Sequence, residues 1–496
     1  MKQYNDVVTP ILDQAKVQPN HVAFVFKGRT ITYQEFVQEA RLAAYQLQEL
    51  GVKKADRVAV TAGNRPEIMI IYMGLALLGA AIVPINPEYG EKEIRHILAH
   101  SEASLLIYAD SLCSHVESAV NANPTSITLQ SMEALVDAWQ DGACYGGQPQ
   151  GGGDDLVLLC YTSGTTSTPK GVAATHANEL ASAFAYRDMW KITPNDSLLV
   201  TLPLTFAYGF HAAAFVALVS GATILLSEKF HPRLALESIE LQKPTVFLGV
   251  PTMYAMMADV AAKESRRFDV SSLRMAAASG AALNEQTIED CRSRLGMIVK
   301  PYYAMTEVRP IFCFDIQDVE DKHRGSVGRL IPPTEVRIVG ENGEDVPAGQ
   351  RGELWVKGPS YSGAYYKDPI RTSEAMQNDW FKTGDIFYEK DDHYYIVGRI
   401  KDQIISGGAK IAPIEVEEAV LSLPGIAAVA VVGVPDSTYG QVVKAVIVKE
   451  NAELGVEAIK SHCENLIADY KMPRIWEFVE DLPRSPAGKV LKSALV

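Results

Sequence analysis

Cysteine is scarce in this chain, and no pattern of metal ligands accompanies it. Among its 496 residues, the six cysteines are scattered without a C-x-x-C pair, and the ten histidines form no cluster with metal-ligand spacing. Paired cysteines and clustered histidines are the usual sequence signs of a structural zinc site. The sequence therefore predicts no structural zinc and favours a reducing, cytoplasmic environment.

The chain also lacks an excess of positive charge. Its 46 lysines and arginines are outnumbered by 60 acidic residues, which gives a formal net charge of −14. Sequence-independent binding to nucleic acid requires a broad basic surface. We therefore expect no nucleic-acid partner, and an anionic substrate would have to meet local positive charge.

Long apolar runs are nearly absent. The amino terminus is polar and lacks the apolar core of a secretory signal, so no export is expected. The uncharged stretch 68–85 is long enough to suggest a membrane helix. However, Gly74 and Gly79 interrupt it, and Pro84 lies within its β-rich end. We expect a buried helix followed by a core strand in preference to a membrane span.

The composition is typical of a large globular protein with more than one domain, since 47% of the residues are hydrophobic and 21% are charged. Helical segments alternate with short apolar strands before residue 141, for example at 57–61, 81–85 and 105–108, and again between residues 197 and 301. This alternation predicts parallel sheets covered by helices. A β-rich region follows residue 329. The predicted fold class is α/β: two doubly wound sheets and a β-rich subdomain over residues 1–400, and a small α+β domain over residues 401–496.

A loop rich in hydroxyl groups follows a predicted buried strand at 156–161. Between Tyr161 and Val172 the chain carries six serines and threonines, two glycines and one lysine. Such a loop offers N–H, O–H and ammonium groups to a polyphosphate at the end of a strand. It does not match the P-loop pattern, because Pro169 occupies the position of the second glycine. A solvated turn could have the same composition, so other motifs must decide.

Four further motifs follow in the second half of the chain. They are Tyr303-Ala304-Met305-Thr306-Glu307, Trp380-Phe381-Lys382-Thr383-Gly384-Asp385, the segment from Gly398 to Ile411, and the segment from Pro483 to Val490. A carboxylate such as Glu307 offers Mg²⁺ a hard oxygen ligand, and the paired oxygens of Asp385 suit a cis-diol. Each motif alone could be an ordinary turn or surface segment, but all five in this order are hard to obtain by chance.

Together the five motifs resemble those of the adenylate-forming superfamily, which contains acyl- and aryl-CoA ligases, stand-alone adenylation domains and beetle luciferases. The resemblance spans nearly the whole chain. It implies that Tyr303 packs on adenine and that Asp385 and Arg399 contact the ribose. The implied ATP-binding residues are Thr162, Ser163, Gly164, Thr165, Thr166, Lys170, Ala281, Tyr303, Asp385 and Arg399.

The same resemblance implies catalytic roles for three residues and a hinge role for a fourth. Thr306 would contact the α-phosphate, and Glu307 would hold Mg²⁺. Lys489 would bridge the attacking carboxylate and the α-phosphate, where its charge offsets the charge that develops in the transition state. Lys401 would be the hinge on which a mobile carboxy-terminal domain turns.

The carboxy-terminal region resembles the CoA-contacting segments of aryl-CoA ligases. The implied CoA-binding residues are Gly407, Gly408, Lys410, Tyr439, Tyr470, Lys471 and Arg474. An aromatic side chain could stack on a nucleotide base, and the basic residues could meet its phosphates. Met472 occupies a position that is usually basic in the chlorobenzoate ligases, and the same residues could simply cover the domain surface.

A segment around residues 202–210 resembles the acid pocket of the superfamily. Amino-acid-activating domains place an aspartate at the position of Ala207, and hydroxybenzoate activators place an asparagine there. Phe206 stands where many CoA ligases carry histidine, and Tyr302 stands where malonate ligases carry arginine. These differences favour an apolar acid, either aromatic or medium-chain aliphatic. The predicted acid-binding residues are Phe206, Ala207, Tyr208, Ser279, Gly280 and Arg309.

Arg309 complicates this prediction. If it lines the pocket, the acid carries a second polar or acidic group, because a buried guanidinium needs a partner. The alternative is that Arg309 reaches solvent or pairs with an acid such as Asp315, and we favour that alternative. Two further positions depart from the superfamily pattern, since Ser167 and Ala304 replace glycines. Serine would be strained there only at positive φ, by about 1–2 kcal/mol.

The leading interpretation is an ATP-dependent carboxylic acid–CoA ligase that uses ATP, Mg²⁺ and coenzyme A. An acyl-AMP ligase that loads the phosphopantetheine thiol of a carrier protein shares the first half-reaction and is the nearest alternative. A non-catalytic nucleotide-binding scaffold is the alternative from another class. A homodimer is compatible with the sequence, which identifies neither the acid nor the oligomeric state.

Overall fold

The computed structural model describes residues 3–121, 127–140, 142–162, 169–264, 266–316, 323–363, 365–450, 453–464, 466–484 and 490–496. No helix within these ranges is both long and apolar enough to cross a membrane. The stretch 68–85 instead forms a buried helix followed by a buried strand, as predicted.

The amino-terminal third of the chain contains a six-stranded sheet and a hairpin, β1 and β2, that belongs to a second sheet. The elements of this third are α1 Thr9–Val17, β1 Val22–Phe26, β2 Arg29–Thr32, α2 Tyr33–Glu49, β3 Arg57–Thr61, α3 Pro66–Leu77, β4 Ala81–Ile85, α4 Glu91–Ser101, β5 Leu105–Tyr108, α5 Cys113–Asn121, β6 Thr128–Ser131, α6 Met132–Gln140, β7 Leu156–Thr162 and β8 Lys170–Thr175. The strand order is β6-β5-β3-β4-β7-β8. Neighbouring strands are parallel except β7 and β8. The strands predicted at 57–61, 81–85 and 105–108 are confirmed residue for residue.

The next third of the chain forms most of a seven-stranded sheet. Its elements are α7 His176–Trp190, β9 Ser197–Val200, α8 Val216–Ser220, β10 Thr223–Leu226, α9 Pro232–Gln242, β11 Val246–Gly249, α10 Pro251–Lys263, β12 Met275–Ala278, α11 Glu285–Asp290 and β13 Val299–Pro301. The strand order is β13-β12-β11-β9-β10-β1-β2. The amino-terminal hairpin completes this sheet, since β1 runs parallel to β10 with Phe24 opposite Ile224. The sequence pattern did not predict this long-range pairing.

Helix α3 lies in the largest apolar core and is buried on all sides. Gly74 does not interrupt this helix, contrary to the sequence-based expectation. Its role is close packing, because an added Cβ would lie 3.2 Å from the carbonyl oxygen of Ala40 on α2. The helix ends before Gly79, which has a φ of +69° that few other residues adopt. The two glycines therefore serve helix packing and helix termination.

A β-rich region and a small α+β unit complete the chain. Their elements are β14 Phe312–Cys313, β15 Arg329–Leu330, β16 Glu335–Val339, β17 Gly352–Lys357, α12 Pro369–Ala375, β18 Met376–Gln377, β19 Trp380–Lys390, β20 His393–Arg399, β21 Ile404–Ser406, β22 Ala409–Ile411, α13 Pro413–Leu421, β23 Ile426–Asp436, β24 Gly440–Lys449, α14 Val456–Cys463 and β25 Ile475–Val479. Strands β16 to β20 form one sheet, and β21 to β25 form another. The α/β fold class with a β-rich region is confirmed.

Candidate active site

The predicted acid-binding residues lie at the carboxyl ends of strands in the second sheet. Residues 206–208 follow β9, and residues 279–281 follow β12. Tyr208 links the two segments, because its hydroxyl donates to the carbonyl oxygens of Gly249, at 3.1 Å, and Ala277, at 3.3 Å. Buried Ser279 and exposed Gly280 follow directly. The structure thus brings these residues to the edge where α/β proteins usually bind ligands.

A π-helical turn shapes this edge. It spans Tyr208–Phe215 and leads directly into α8. Gly209 lies so close to the preceding segment that an added Cβ would be 2.4 Å from the carbonyl oxygen of Pro203, so only glycine fits there. π-Helical turns are rare and frequent at functional sites. Phe206 precedes the turn, and its ring lies 6.3 Å from that of Tyr89.

Aromatic rings surround buried Tyr302, beside the predicted pocket. Its ring centroid lies 5.8 Å from Tyr208, 5.3 Å from Trp190 and 6.1 Å from Tyr186, each in an edge-to-face arrangement. Burial raises the pKa of both Tyr208 and Tyr302 well above the ordinary value, so their hydroxyls remain protonated. The aromatic rings around Tyr302 would suit an apolar acid, and the class of acid stays a prediction.

Arg309 is buried, which excludes the expectation that it reaches solvent. It is 4% exposed and forms an ion pair with Glu179, a buried residue of α7. Its Nη1 also donates to the carbonyl oxygen of Thr306 at 2.5 Å. An acid does pair with Arg309, but the acid in contact is Glu179, not the Asp315 suggested from the sequence. Whether Arg309 also contacts the substrate stays a prediction.

The predicted ribose-binding residues converge on the carboxylate of Asp385. Strands β19 and β20 place Asp385 opposite Arg399, whose Nε lies 3.0 Å from Oδ1. The hydroxyl of Tyr303 donates to Oδ2 of the same carboxylate. Burial opposes the charge on Arg399, but Asp385 and the other acidic groups around it together outweigh burial and raise the pKa of the guanidinium. Three motifs that are far apart in the sequence therefore meet at one buried anion.

Asp385 retains acceptor capacity for a ligand. It is 1% exposed, and among the described residues its Oδ1 has no partner in hydrogen-bonding geometry, despite the short distance to Arg399. A buried oxygen without a well-oriented donor is costly unless a ligand or water supplies one. A ribose hydroxyl would provide that donor.

Glu307 and Lys170 both contact Tyr365. The Tyr365 hydroxyl donates to Oε1 of Glu307 at 2.9 Å, and Nζ of Lys170 lies 4.9 Å from the centre of the Tyr365 ring. The backbone of Glu307 is also fixed, because the N–H and hydroxyl of Ser362 donate to its carbonyl oxygen. Sequence analysis did not identify Tyr365, since a tyrosine pair in a polar segment carries no distinctive signal.

The described residues contain no group of three or more histidines, cysteines and acids that could hold a metal ion. Mg²⁺ does not require such a group, because it is commonly bound by one or two carboxylates together with substrate phosphates. Glu307 supplies a carboxylate beside the ammonium of Lys170. The donor set therefore fits a phosphate-bound Mg²⁺ and does not fit a metal site made of protein ligands alone.

Lys401 lies in a short 3₁₀ turn, Ile400–Asp402, between β20 and β21. Burial lowers the pKa of Lys401, and the positive charges of Arg399 and Lys170 lower it further. The predicted hinge therefore lies within electrostatic reach of the ribose site and of the strand that follows the hydroxyl-rich loop.

Three of the predicted CoA-binding residues form one cluster. The guanidinium of Arg474 lies 3.9 Å from the centre of the Tyr439 ring. The N–H of Gly407 donates to the carbonyl oxygen of Tyr439, and a Cβ at Gly407 would lie 3.2 Å from that ring. Gly408 follows in the same turn with a φ of +86°. The glycines thus let the turn approach the aromatic ring closely.

The remaining predicted CoA-binding residues are spread over the surface of the small unit. Lys471 pairs with Glu415 at 2.6 Å, and the same carboxylate pairs with Arg351 at 2.7 Å. Lys410 pairs with Glu341, and Tyr470 is exposed. In the described structure, therefore, both lysines are engaged by carboxylates.

Several predicted positions lie outside the described residues, and one departure from the superfamily pattern can be assessed. Those outside are Ser163, Gly164, Thr165, Thr166, Ser167 and Lys489. Ala304 is not among the described non-glycine residues with positive φ, so alanine carries no left-handed strain at that position. Thr162 ends β7, and Ala281 is exposed after β12.

Comparisons with known proteins agree with this geometry. The profile of the AMP-binding enzyme family matches residues 11–366, and the profile of the AMP-binding enzyme carboxy-terminal domain matches residues 415–489. Feruloyl-CoA synthase from Amycolatopsis sp. is 33% identical over 482 residues, which covers 97% of this chain and 96% of that protein. Indoleacetate–CoA ligase from Aromatoleum aromaticum is 32% identical over 96% of this chain and 95% of its own length.

A solved structure shares the whole fold. The crystal structure of ATP-bound MatB from Rhodopseudomonas palustris superposes with a TM-score of 0.92 and 27% identity, covering 99% of this chain and 98% of that one. The family profiles, the full-length relatives and this structure match the chain nearly end to end. The chain belongs to the AMP-binding enzyme family, within the adenylate-forming superfamily.

Proposed function

We propose that the chain is an AMP-forming carboxylic acid–CoA ligase that takes an aromatic or medium-chain aliphatic acid. The observation that carries this proposal is the convergence of Tyr303 and Arg399 on the buried carboxylate of Asp385. The curated relatives that match over the full chain are ligases named for CoA thioesters of ferulate and indoleacetate. The chain thus activates an acid as acyl-AMP and transfers the acyl group to CoA.

In the first half-reaction, a carboxylate oxygen of the acid attacks the α-phosphorus of ATP. The bond between the α- and β-phosphates breaks, and pyrophosphate leaves. Tyr303, Asp385 and Arg399 hold adenine and ribose, Thr306 contacts the α-phosphate, and Lys489 brings the two anionic reactants together. Residues 162–166 and Lys170 hold the β- and γ-phosphates.

Glu307 would hold Mg²⁺ at this site, and the bound ion would neutralise phosphate charge as pyrophosphate leaves. Tyr365 orients the carboxylate, because its hydroxyl donates to Oε1 of Glu307. Lys170, whose Nζ lies 4.9 Å from the centre of the Tyr365 ring, adds a second positive charge toward the phosphates.

In the second half-reaction, the sulfur of CoA attacks the carbonyl carbon of acyl-AMP, and AMP leaves as the C–O bond breaks. A domain boundary between residues 400 and 401 allows the small domain to turn about Lys401. This rotation removes Lys489 from the active site and brings the CoA-binding surface to it.

The CoA-binding surface has a compact part, which is formed by Gly407, Gly408, Tyr439 and Arg474. Lys410, Tyr470 and Lys471 contribute once the two lysines leave their carboxylate partners. A cytoplasmic location suits this chemistry and the scarcity of cysteines.

A pyrophosphate-release assay over a panel of acids tests the proposal. The panel contains cinnamate, benzoate, indoleacetate, and straight-chain acids of increasing length, each measured with and without CoA. We expect pyrophosphate release with aromatic or medium-chain acids and a thioester product only when CoA is present. An acyl adenylate that accumulates and is discharged only by a carrier protein would identify the carrier-loading alternative. Absence of pyrophosphate release over the whole panel would overturn the proposal.

A further inference from the structure

A buried polar cluster lies next to the predicted acid pocket. Arg309 pairs with Glu179, and the other carboxylate oxygen of Glu179 lies 2.6 Å from Nδ1 of His211. His211 belongs to the π-helical turn that begins at Tyr208, and Arg309 follows Thr306 by three residues. The cluster therefore connects two segments that are predicted to surround the acid, the π-helical turn and the loop that carries Thr306.

The cluster carries no net charge. His211 is fully buried, and burial lowers its pKa more strongly than Glu179 raises it, so the imidazole is neutral. Neutral His211 donates from Nδ1 to Glu179 and accepts from the hydroxyl of Ser182, which lies 2.6 Å from Nε2. For Glu179, burial opposes ionisation, but Arg309 and the neighbouring histidines together outweigh it and lower the pKa of the carboxyl. One anion and one cation remain, and they compensate each other.

Two hydrogen-bond donors in this region lack partners in the part of the chain that the structure describes. Nε of Arg309 and the hydroxyl of Tyr72 are buried, and neither has a hydrogen-bond partner among the described residues. Tyr72 lies close enough to Glu179 and Arg309 to interact with both electrostatically. Its ring centroid is 4.8 Å from that of Phe210, in the π-helical turn. Buried donors normally have an acceptor, so a ligand or water oxygen is expected between these groups.

We propose that Arg309 and Tyr72 form a specificity subsite for an uncharged oxygen of the acid, and that Glu179 makes this subsite selective against a second carboxylate. This inference rests on the proposed function, since it concerns the acid of the same ligase. The favoured substituent is a hydroxyl, methoxy or carbonyl oxygen, which accepts hydrogen bonds from the two donors. Glu179 is a positioning residue that contacts the substrate only through Arg309.

Charge decides between a neutral substituent and an anionic one. Glu179 already compensates the guanidinium, so a second carboxylate would bring an additional buried anion without a partner. Burial of an unpaired charge is costly, whereas a neutral acceptor needs only the two donors. Removal of the negative charge of Glu179 would leave Arg309 able to pair with a carboxylate of the substrate.

The test compares kcat/KM for pyrophosphate release in two matched series. The aromatic series is cinnamate, 4-methoxycinnamate and 4-carboxycinnamate, and the aliphatic series is hexanoate, 6-hydroxyhexanoate and adipate. For the wild type we expect the neutral oxygenated acid to be preferred in the series that is activated, and the dicarboxylic acid to be the poorest substrate. Glu179→Gln should raise the ratio of kcat/KM for the dicarboxylic acid to kcat/KM for the neutral oxygenated acid by about tenfold or more. The reason is that Arg309, no longer compensated by Glu179, then attracts the second carboxylate.

Asp196→Asn is the matched control. Asp196 is also a buried carboxylate paired with an arginine, Arg274, but it precedes the amino end of β9, at the opposite edge of the sheet. We expect this variant to leave both substrate ratios unchanged, which separates a specific effect from general loss of stability.

Tyr72→Phe keeps the inference testable if Glu179→Gln does not fold. This variant should lower the ratio of kcat/KM for the neutral oxygenated acid to kcat/KM for the unsubstituted acid by about fivefold, because one hydrogen bond to the substituent is removed. Substrate ratios that match the wild type in both variants would overturn the inference and would indicate that the donors bind only water. Absence of activity with every acid in the wild type would instead overturn the proposed function.

Discussion

Arg399 and Asp385 face each other across two antiparallel strands, with Nε of Arg399 3.0 Å from the carboxylate. The hydroxyl of Tyr303 approaches the same carboxylate from the Thr306 loop. The anion that would accept hydrogen bonds from the ribose hydroxyls is thus oriented by the protein's own residues. Such preorganisation reduces the ordering cost of binding.

Asp385→Asn should weaken ATP binding without abolishing the fold. The amide keeps the size of the carboxylate but loses its charge and one acceptor. Because hydrogen bonds to a charged group contribute about 1.5–3 kcal/mol, we expect KM for ATP to rise by about 10- to 100-fold. Pyrophosphate release at varied ATP measures this change. Asp392→Asn, at an exposed position in the β19–β20 turn, is the control and should retain the wild-type KM.

Glu307→Gln should raise the Mg²⁺ concentration required for half-maximal adenylation. The variant loses an anionic ligand, while Tyr365→Phe loses only the hydroxyl that orients that ligand at 2.9 Å. Groups that orient a metal ligand typically affect metal affinity by about 10- to 100-fold, so Tyr365→Phe should be the milder of the two. Glu335→Gln, at an exposed position on β16, provides the control. Identical Mg²⁺ dependence in Glu307→Gln and the wild type would contradict the assignment.

Gly209→Ala should disturb the π-helical turn. An added Cβ would lie 2.4 Å from the carbonyl oxygen of Pro203, and overpacking of a buried position typically costs about 1–3 kcal/mol. We expect a lower urea midpoint and a higher KM for the acid, with KM for ATP little affected. The control is Gly63→Ala, because a Cβ at Gly63 would meet no atom of the described residues within 4 Å. Equal urea midpoints in the two variants would disprove the steric argument.

Lys401→Pro should separate the two half-reactions. Proline fixes φ near −65°, which would hinder rotation of the small domain about this residue. Adenylate formation should persist, and thioester formation should be lost. Lys401→Ala removes the side chain but leaves the backbone free, so it should retain both half-reactions to a greater extent. Wild-type overall turnover in the proline variant would exclude Lys401 as the hinge.

Local sequence patterns predicted the central strands well. Strands β3, β4 and β5 are short apolar runs bounded by turn residues, and their limits match the prediction. The position of β1 in the second sheet was not predictable, because it depends on pairing with β10 about two hundred residues later. Periodicity reports burial and secondary structure but carries no information about long-range pairing.

The candidate site was predictable where residues form motifs and unpredictable where single residues act through distant partners. Tyr303 and Asp385 are 82 positions apart, yet both lie in motifs that the superfamily resemblance identifies. Glu179 lies 130 positions from Arg309, in a helix whose sequence gives no sign of its partner. A carboxylate among buried helix positions was the only available signal, and burial itself is known only from the fold.

Lys489→Ala should lose adenylation but still convert supplied acyl-AMP to the CoA thioester. The proposed role of Lys489 is confined to the first half-reaction, where one ammonium offsets the charge shared by the carboxylate and the α-phosphate. The control is Lys492→Ala, three residues later, because Nζ of Lys492 lies 2.6 Å from Glu417 within the small domain. That variant should keep both activities. Equal loss of the two half-reactions in Lys489→Ala would refute this division of labour, because it would mean that the residue also serves CoA binding or the stability of the domain.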